Sequence, residues 1–256
     1  MRRFTAFVLV LTTVAVLART TRAAPPAPVL VELFTSEGCS SCPPADALLQ
    51  TLVDNPPAGV EIVALGQHVD YWDQLGWKDR FSSAAFTRRQ QAYSFAFNNA
   101  SSYTPQMVVD GRAELVGSDA GAARKAIERV MSLPHGSIRI TTEPPAGDRV
   151  FVSVAASGLP RAARDRADIM VAVTEDRLRS DVKRGENHGR LLAHAAVVRE
   201  LKTIGEATGA ESSARTEVTL APDWQRANLK VVAFVQERTS RHVLGAASVP
   251  LQNALR

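Results

Sequence analysis

Short apolar runs near the N-terminus predict a strand, a helix and a second strand. Residues 29–34 are apolar or β-branched apart from one Glu, which is typical of a buried strand. Residues 48–53 have leucine and valine at helical spacing, and residues 60–65 form a second apolar run. A strand, a helix and a strand within about 35 residues predict a βαβ unit with parallel strands.

A hairpin and a helix are predicted further along the same half of the chain. Residues 107–116 are two apolar runs around an Asp-Gly pair, which is expected in a tight hairpin turn. Pro105 stands at the start of the first strand, where proline is tolerated, and the Thr104–Pro105 bond is a candidate cis peptide. Residues 120–131 predict a helix that begins just after Ser118 or Asp119, either of which would cap it.

From about residue 136 the pattern changes to short, often alternating β-rich segments separated by turn residues. Several short strands without intervening helices predict an antiparallel β-sandwich. The predicted strands cover residues 137–142, 150–156, 169–174, 195–201, 215–220, 229–236 and 243–249. We therefore expect an α/β domain over residues 24–134, followed by an all-β, sandwich-like domain over residues 135–256.

The first 23 residues have the pattern of a secretory signal peptide. Arg2 and Arg3 precede a mostly apolar run over residues 4–17, and small residues lead to a cleavage site after Ala23. The apolar run is short for a membrane span, which needs about 20 residues, and no later segment approaches that length. The protein is therefore expected to be exported to the periplasm or the extracellular space, without a membrane span after cleavage.

Removal of this leader changes the charge balance of the chain. The full sequence has 30 Lys and Arg against 26 Asp and Glu, and four of the bases lie in the leader. The mature chain is therefore near neutrality, which gives no reason to expect nucleic acid or an anionic surface as a partner.

The chemistry is concentrated in Cys39-Ser40-Ser41-Cys42, between the first predicted strand and helix. Free N–H groups and the positive end of the helix dipole stabilise a thiolate there. The two-residue spacing lets the second sulfur displace a partner from the first, and Ser40 and Ser41 are candidate hydrogen-bond donors to sulfur. We expect a redox-active Cys39–Cys42 disulfide that needs no other cofactor; the alternatives are a structural disulfide or two inert thiols.

This arrangement of CxxC, Thr-Pro hairpin and closing helix resembles the thioredoxin fold. The resemblance implies an attacking Cys39, a resolving Cys42, a cis Pro105 beside the sulfurs and a Thr104 that pairs with substrate backbone. Two departures are the glycine before Cys39, where thioredoxin has Trp, and the Ser-Ser spacer. A redox potential therefore cannot be transferred. The predicted fold class is α/β, with a thioredoxin-like N-terminal domain and an all-β C-terminal one.

Longer strings are similar to one family of secreted, thioredoxin-like proteins whose function is uncharacterised. These strings are LFTSEGCSSCPPAD, VDYWD-LGWKD-F, YTPQ-VVDG and RGEN-GR-L-H--VVREL. They are spread over nearly the whole mature chain. The resemblance implies a fold and a site, but no substrate.

Residues 71–103, an expected helical insertion, contain nine of the fifteen aromatic residues. They either line a groove for a polypeptide or small apolar substrate, or pack the core of the insertion. His68, Asp70 and Asp73 follow the second predicted strand and are candidate proton acceptors for Cys42; a plain loop position is an equal alternative.

The polar segment over residues 184–190, RGENHGR, also has two interpretations. It either faces the redox site or a partner, or forms a turn whose side chains tie two strands together. His194 follows it closely, but the five histidines of the chain show no recognisable zinc spacing, so no metal site is predicted.

The leading functional hypothesis is an extracytoplasmic thiol–disulfide oxidoreductase acting on exported protein thiols, small thiols or a redox partner protein. One alternative is copper handling, as in Sco-type chaperones, with His68 or Met107 as a third ligand. Another is a non-catalytic binding or adaptor protein whose β-rich domain recognises a partner. The sequence does not determine the direction of electron flow or the oligomeric state.

Overall fold

The computed structural model describes residues 26–160 and 165–251, so the predicted signal peptide lies outside the described residues. Described residues form thirteen strands, three α-helices and a short 3-10 helix, Arg226–Asn228. The strands are β1 (Ala27–Thr35), β2 (Val60–His68), β3 (Gln106–Val109), β4 (Ala113–Val116), β5 (Ser137–Thr142), β6 (Arg149–Ser157), β7 (Ala167–Glu175), β8 (Leu178–Asp181), β9 (Leu191–His194), β10 (Val197–Ala207), β11 (Ser212–Thr219), β12 (Leu229–Glu237) and β13 (Val243–Pro250). The helices are α1 (Pro43–Asp54), α2 (Ala84–Ala96) and α3 (Ala120–Val130).

The local elements predicted in the first half of the chain are present. Strands β1 and β2 are parallel, with Thr35 opposite His68 at their ends, and α1 connects them. Strands β3 and β4 form the expected antiparallel hairpin. Asp119 caps α3, because its side chain accepts a hydrogen bond of 2.8 Å from the backbone N–H of Ala122.

The predicted fold class, a thioredoxin-like α/β domain followed by an all-β sandwich, is wrong. The protein is mostly β, with 43% strand and 18% helix. Its main sheet has eight strands in the order β13-β12-β7-β10-β2-β1-β3-β4. Strands from both halves of the chain therefore belong to one mixed sheet.

The two halves of this sheet meet at Gly66 of β2. Gly66 pairs in parallel with Val197 of β10, and its N–H donates to the carbonyl of Ala196 at 2.7 Å. A Cβ atom on Gly66 would lie only 2.7 Å from the carbonyl oxygen of Ala195. The absent side chain lets β10 approach closely. Apolar patterning does not show which strand edges join, which is why the sequence analysis missed this pairing.

Helices cover both faces of the N-terminal strands. Val31 and Leu33 of β1 pack with Leu49 of α1 and Ile127 of α3, whereas Leu30 on the opposite face packs with Phe86 of α2. This alternation follows the two-residue period of a strand. On the C-terminal strands, the three-stranded sheet β11-β6-β5 packs through apolar side chains against β7 and β12.

Strands β8 and β9 form a two-stranded hairpin that the sequence analysis did not predict. Each has four residues and only one or two large apolar side chains, so the pattern is too short to distinguish from a loop. The hairpin matters because its connection contains residues 184–190.

One charged group lies inside the apolar run of β1. The Glu32 carboxylate is fully buried and accepts hydrogen bonds from the Arg89 guanidinium at 2.6 and 2.9 Å, from Gln67 at 2.6 Å and from the Tyr93 hydroxyl. Burial works to raise the pKa of Glu32, but the Arg89 charge and the accepted hydrogen bonds hold it below its ordinary value. This network fixes α2 on the sheet.

We predict that Arg89→Met destabilises the protein by about 3–5 kcal/mol, because it leaves the Glu32 carboxylate buried without its counter-charge. Arg88→Met is the matched control, since Arg88 is the exposed neighbour on the same helix and its loss is expected to cost less than about 0.5 kcal/mol. Urea unfolding at neutral pH measures both. Equal losses in the two variants would contradict the assignment.

Candidate redox site

A disulfide joins Cys39 and Cys42 at the start of α1, with their Cα atoms 5.4 Å apart. Cys42 is the N-cap residue, and Pro43 and Pro44 occupy the first two helical positions. Proline is tolerated there because the first N–H groups of a helix have no intrahelical acceptor. The disulfide therefore lies at the positive end of the α1 dipole.

The two cysteines differ in exposure from the residues between them. Cys39 and Cys42 are both 0% exposed, whereas Ser40 and Ser41 are exposed. The Ser41 hydroxyl lies 3.4 Å from Cys39 Sγ. Ser41 thus has the contact expected of a hydrogen-bond partner to sulfur. The backbone N–H of Ser40 instead donates to Glu186, at 3.1 Å.

The Thr104–Pro105 peptide bond is cis and lies beside α1. A Cβ atom placed on Gly117 would be 3.1 Å from the Cβ atoms of both Ala45 and Pro105, so these two residues converge on one point. Pro105 is therefore near the first turn of the cysteine-bearing helix.

Trp72 connects Thr104 with residues 36–42, the loop between β1 and α1 that contains both cysteines, which we call the cysteine loop. Its indole N–H donates to the Thr104 hydroxyl at 2.9 Å. A Cβ atom on Gly38, the residue before Cys39, would lie 3.0 Å from Trp72 Cβ. Trp72 thus packs directly against Gly38.

Residues 184–190 lie against the cysteine loop and also connect β8 to β9, so both interpretations of this segment describe part of its role. Asn187 is fully buried, and its amide donates to the carbonyls of Glu37 and Cys39, both at 2.9 Å. Glu186 accepts from Ser40, 146 residues away in the chain. We call residues 184–190 the covering loop. Sequence analysis offered no signal for these particular partners beyond the polar density of the segment.

Asp46 is a buried acid one helical turn after Cys42, on the same face of α1. It accepts a hydrogen bond of 3.2 Å from the Thr35 hydroxyl at the end of β1. Burial raises the pKa of Asp46 to about 7, opposed by His194 and by Thr35. Asp46 was not among the predicted site residues, although its spacing of four from Cys42 was the available signal.

Of the predicted proton acceptors, only His68 lies in the buried region near Asp46. Its Nδ1 is 2.6 Å from Asp79 Oδ2, and it is paired in register with Thr35. Asp70 accepts a hydrogen bond from Thr87 at 2.5 Å and Asp73 one from Ser82 at 2.7 Å. These two contacts organise the loop before α2.

Glu37 and His194 form a second buried pair next to the cysteine loop. Glu37 Oε1 lies 3.4 Å from His194 Nε2, and Glu37 Oε2 accepts from the Trp77 indole at 2.7 Å. The Glu37 backbone N–H donates to Asp79 at 2.8 Å. Burial works to raise the pKa of Glu37, but the adjacent His194 ring and the Trp77 N–H hold it below its ordinary value.

Five buried ionisable side chains therefore surround the start of α1, and we call them the acid–histidine cluster. Its members are Glu37, Asp46, His68, Asp79 and His194. Within residues 26–160 and 165–251, no group of three or more His, Cys, Asp or Glu side chains is arranged to hold a metal ion.

The aromatic residues of the predicted insertion largely pack the interior. Phe81, Phe86 and Tyr93 are buried, which fits the core-packing interpretation, whereas Phe95 is 86% exposed. Phe81 contacts the rings of both cluster histidines.

Among the described helices, none has the length and hydrophobicity needed to cross a membrane.

Comparisons with known proteins match most of the chain. The family model described as "Protein of unknown function (DUF1223)" matches residues 30–236. The crystal structure of Agrobacterium tumefaciens protein AGR_C_4864 is similar, with a TM-score of 0.66 and 26% identity over 89% of this chain and 96% of that chain. HBP35 of Porphyromonas gingivalis has a TM-score of 0.65 and 14% identity over 91% of this chain and 78% of that chain, which shows a shared fold. No curated protein was found to match.

We predict that Asn187→Ala speeds reduction of the Cys39–Cys42 disulfide by dithiothreitol about tenfold. Loss of the amide leaves the buried Glu37 carbonyl without a donor and the Cys39 carbonyl with only the Cys42 N–H, at 3.2 Å, which lowers the free energy for opening the covering loop by about 1–3 kcal/mol. His188→Ala is the control, because His188 is an exposed member of the same loop and its loss should leave the rate unchanged. A rate for Asn187→Ala equal to that of the control would disprove the covering role.

We predict that Asp46→Asn stabilises the oxidised protein at pH 8, on the order of 3 kcal/mol, with little effect at pH 4. The pKa of Asp46 is raised to about 7 in the folded protein, above its unfolded value, so wild-type stability falls as the pH rises from about 4 to 7. Asparagine carries no charge and can still accept from Thr35. Urea unfolding across this pH range provides the measurement.

Asp54→Asn, at the exposed end of the same helix, is the control for this pH dependence. A stability difference between Asp46→Asn and wild type that stays constant from pH 4 to pH 8 would contradict the raised pKa.

Proposed function

We propose that this chain, which belongs to the DUF1223 family of proteins of unknown function, is an extracytoplasmic thiol–disulfide oxidoreductase. The observation that carries the proposal is a disulfide at the N-terminus of α1 with a buried acid, whose pKa is about 7, one turn further on. An inert structural disulfide has no need of a proton acceptor that titrates near neutrality.

In the proposed reaction Cys39 is the nucleophile. The positive end of the α1 dipole and the neighbouring Ser41 hydroxyl favour its thiolate. The Cys39 thiolate attacks a substrate disulfide, a Cys39–substrate disulfide forms, and the first substrate sulfur leaves as a thiolate that takes up a proton.

Cys42 then releases the second substrate sulfur. Asp46, as a carboxylate, accepts the Cys42 proton, and the Cys42 thiolate attacks Cys39 Sγ. The Cys39–Cys42 bond forms, the bond to substrate breaks, and the departing substrate thiolate is protonated. Two electrons and two protons pass from the dithiol to the substrate, and the reverse sequence oxidises a substrate dithiol.

Two features support a thiol substrate reached from outside the cytoplasm. The leader pattern of residues 1–23 directs export to a compartment in which cysteine pairs are oxidised. Ser40 and Ser41 are the exposed part of the motif, so a substrate approaches over them once the covering loop is displaced. Thr104 and Pro105 lie beside this approach; substrate pairing by Thr104 stays a prediction of the resemblance.

We do not extend the proposal to copper handling or to an adaptor role. Met107 is fully buried in the apolar core between the sheet, α1 and α3, and His68 Nδ1 is engaged by Asp79. For an adaptor, the acid–histidine cluster would have no role in binding, since its members are buried rather than displayed.

We predict that the protein catalyses reduction of insulin disulfides by dithiothreitol, and that Cys39→Ser lowers the catalysed rate to background. Cys42→Ser retains the nucleophile and should therefore accumulate a Cys39 mixed disulfide, which mass spectrometry detects. Ser40→Ala is the control and should keep most of the activity, because the Ser40 contact to Glu186 uses the backbone N–H.

The proposal fails if wild type and Cys39→Ser give the same insulin-reduction rate and the Cys42→Ser variant traps no substrate. A biological activity that survives loss of both cysteines would favour the adaptor role instead.

A further inference from the structure

The surface around the covering loop is rich in exposed cations. Six Lys and Arg side chains within residues 76–80 and 178–190 are exposed, and we call them the basic rim: Lys78, Arg80, Arg179, Lys183, Arg184 and Arg190. Among the residues that the structure describes, only Lys183 of this set forms an ion pair, with Asp181. By comparison, the exposed Arg215 on the three-stranded sheet pairs with Glu143 at 2.6 Å. The basic rim therefore keeps most of its positive charge available to a partner.

Two contacts join residues 76–80 to β8 and the covering loop. The Arg80 guanidinium donates to the Arg179 carbonyl at 2.8 Å. A Cβ atom on Gly185 would lie 3.1 Å from Trp77 Cβ, so the neighbouring Lys78 is also close to the covering loop. The six cations therefore belong to one continuous surface beside the disulfide.

The nearby acids of the segment before α2 are engaged within that segment or beneath it. Asp73 accepts hydrogen bonds from the Ser82 hydroxyl at 2.7 Å and from the Asp79 N–H at 3.2 Å. Asp79 is itself buried and paired with His68. The basic rim is thus a local excess of positive charge on a mature chain that is near neutrality overall, and such a surface attracts anionic partners.

One carboxylate of the chain already lies among these cations. Glu186 of the covering loop is exposed, and it accepts a hydrogen bond of 3.1 Å from the backbone N–H of Ser40, between the two cysteines. A single exposed hydrogen bond contributes little net stability, because water competes for both partners. The Ser40 N–H is therefore a donor that holds one carboxylate and exchanges it readily for another.

We propose that the basic rim docks an acidic segment of a polypeptide substrate, and that a carboxylate of this segment replaces Glu186 on the Ser40 N–H. This inference rests on the proposed function, because it names the class of substrate that reaches the disulfide. The replacement removes one contact that holds the covering loop over the cysteines, which leaves the two Asn187 contacts to be broken. Docking of the substrate therefore favours exposure of the disulfide.

An acidic polypeptide matches this surface better than a nucleic acid does. The group already bound at Ser40 is a side-chain carboxylate, which Asp and Glu of a substrate also supply. The proposed reaction further requires sulfur in the bound molecule, and a polypeptide supplies it as cysteine.

Binding of cysteine-free peptides to the oxidised protein tests the docking surface without a redox step. Two dye-labelled peptides of equal length, one rich in Asp and Glu and the other in Lys and Arg, are titrated with protein and followed by fluorescence anisotropy. We expect the acidic peptide to bind about tenfold more tightly than the basic one at low salt. Most of this preference should disappear in about 0.5 M NaCl, because salt screens exposed charges.

Charge-changing variants locate the binding surface. Arg184→Glu reverses one unpaired charge of the basic rim and should weaken binding of the acidic peptide about fivefold. Arg139→Glu is the matched control, because Arg139 is exposed on β5 of the three-stranded sheet and should leave binding unchanged. Glu186→Ala should strengthen binding more than Asp181→Ala, because both remove an acid beside the basic rim but only Glu186 occupies the Ser40 N–H.

Equal binding of the two peptides, or equal effects of Arg184→Glu and Arg139→Glu, would overturn the inference. Equal gains for Glu186→Ala and Asp181→Ala would do the same, since they show that no group is replaced at Ser40. A DNA oligonucleotide of equal charge that binds as tightly as the acidic peptide would also overturn it. If the acidic peptide binds as expected but the protein reduces no disulfide placed within that peptide, the proposed function fails and the docking surface remains.

Discussion

The close pairing of β2 with β10 at Gly66 is the contact on which the site depends. It joins the strands before and after residue 134 into one sheet, because the glycine lets the Ala195–Ala196 backbone approach a strand that any side chain would hold away. Strand β9 ends at His194, three residues before the β10 partner of Gly66. The β2–β10 pairing therefore also positions the hairpin that contains Asn187 against the cysteine loop.

This arrangement removes a set of ionisable side chains from water around the start of α1. Glu37, Asp46, His68, Asp79 and His194 are all buried, and buried ionised groups persist only where partners offset their desolvation. Asp79 illustrates the balance: burial works to raise its pKa, but His68 and two backbone N–H groups hold it below its ordinary value. Asp46 has weaker support, from the Thr35 hydroxyl and His194, so burial keeps its pKa high. Unequal compensation therefore leaves the pKa of Asp79 below the ordinary value of an aspartate and that of Asp46 above it.

Much of the local structure follows from the sequence, whereas the site follows only in part. The period of apolar residues predicts β1, α1 and β2. The cap at Asp119 and the cis Thr104–Pro105 bond agree with local residue preferences. These features depend on neighbours along the chain, which a pattern can encode. The cysteine pair is likewise visible as CxxC.

The rest depends on contacts between distant segments. Nothing local marks Gly66 as the place where two halves of a sheet meet, and the four-residue strands β8 and β9 are too short to show a period. His68 was singled out as a neighbour of a strand end, but its partners Asp79 and His194 reach it only through folding. Asp46 is the one member of the acid–histidine cluster that helical spacing from Cys42 alone would have indicated.

Because Asn187 and His194 come from beyond residue 134, the surroundings of the Cys39–Cys42 disulfide are built from both halves of the chain. A lineage that exchanged the second half for that of an unrelated protein would inherit the two cysteines without the Asn187 amide that covers them.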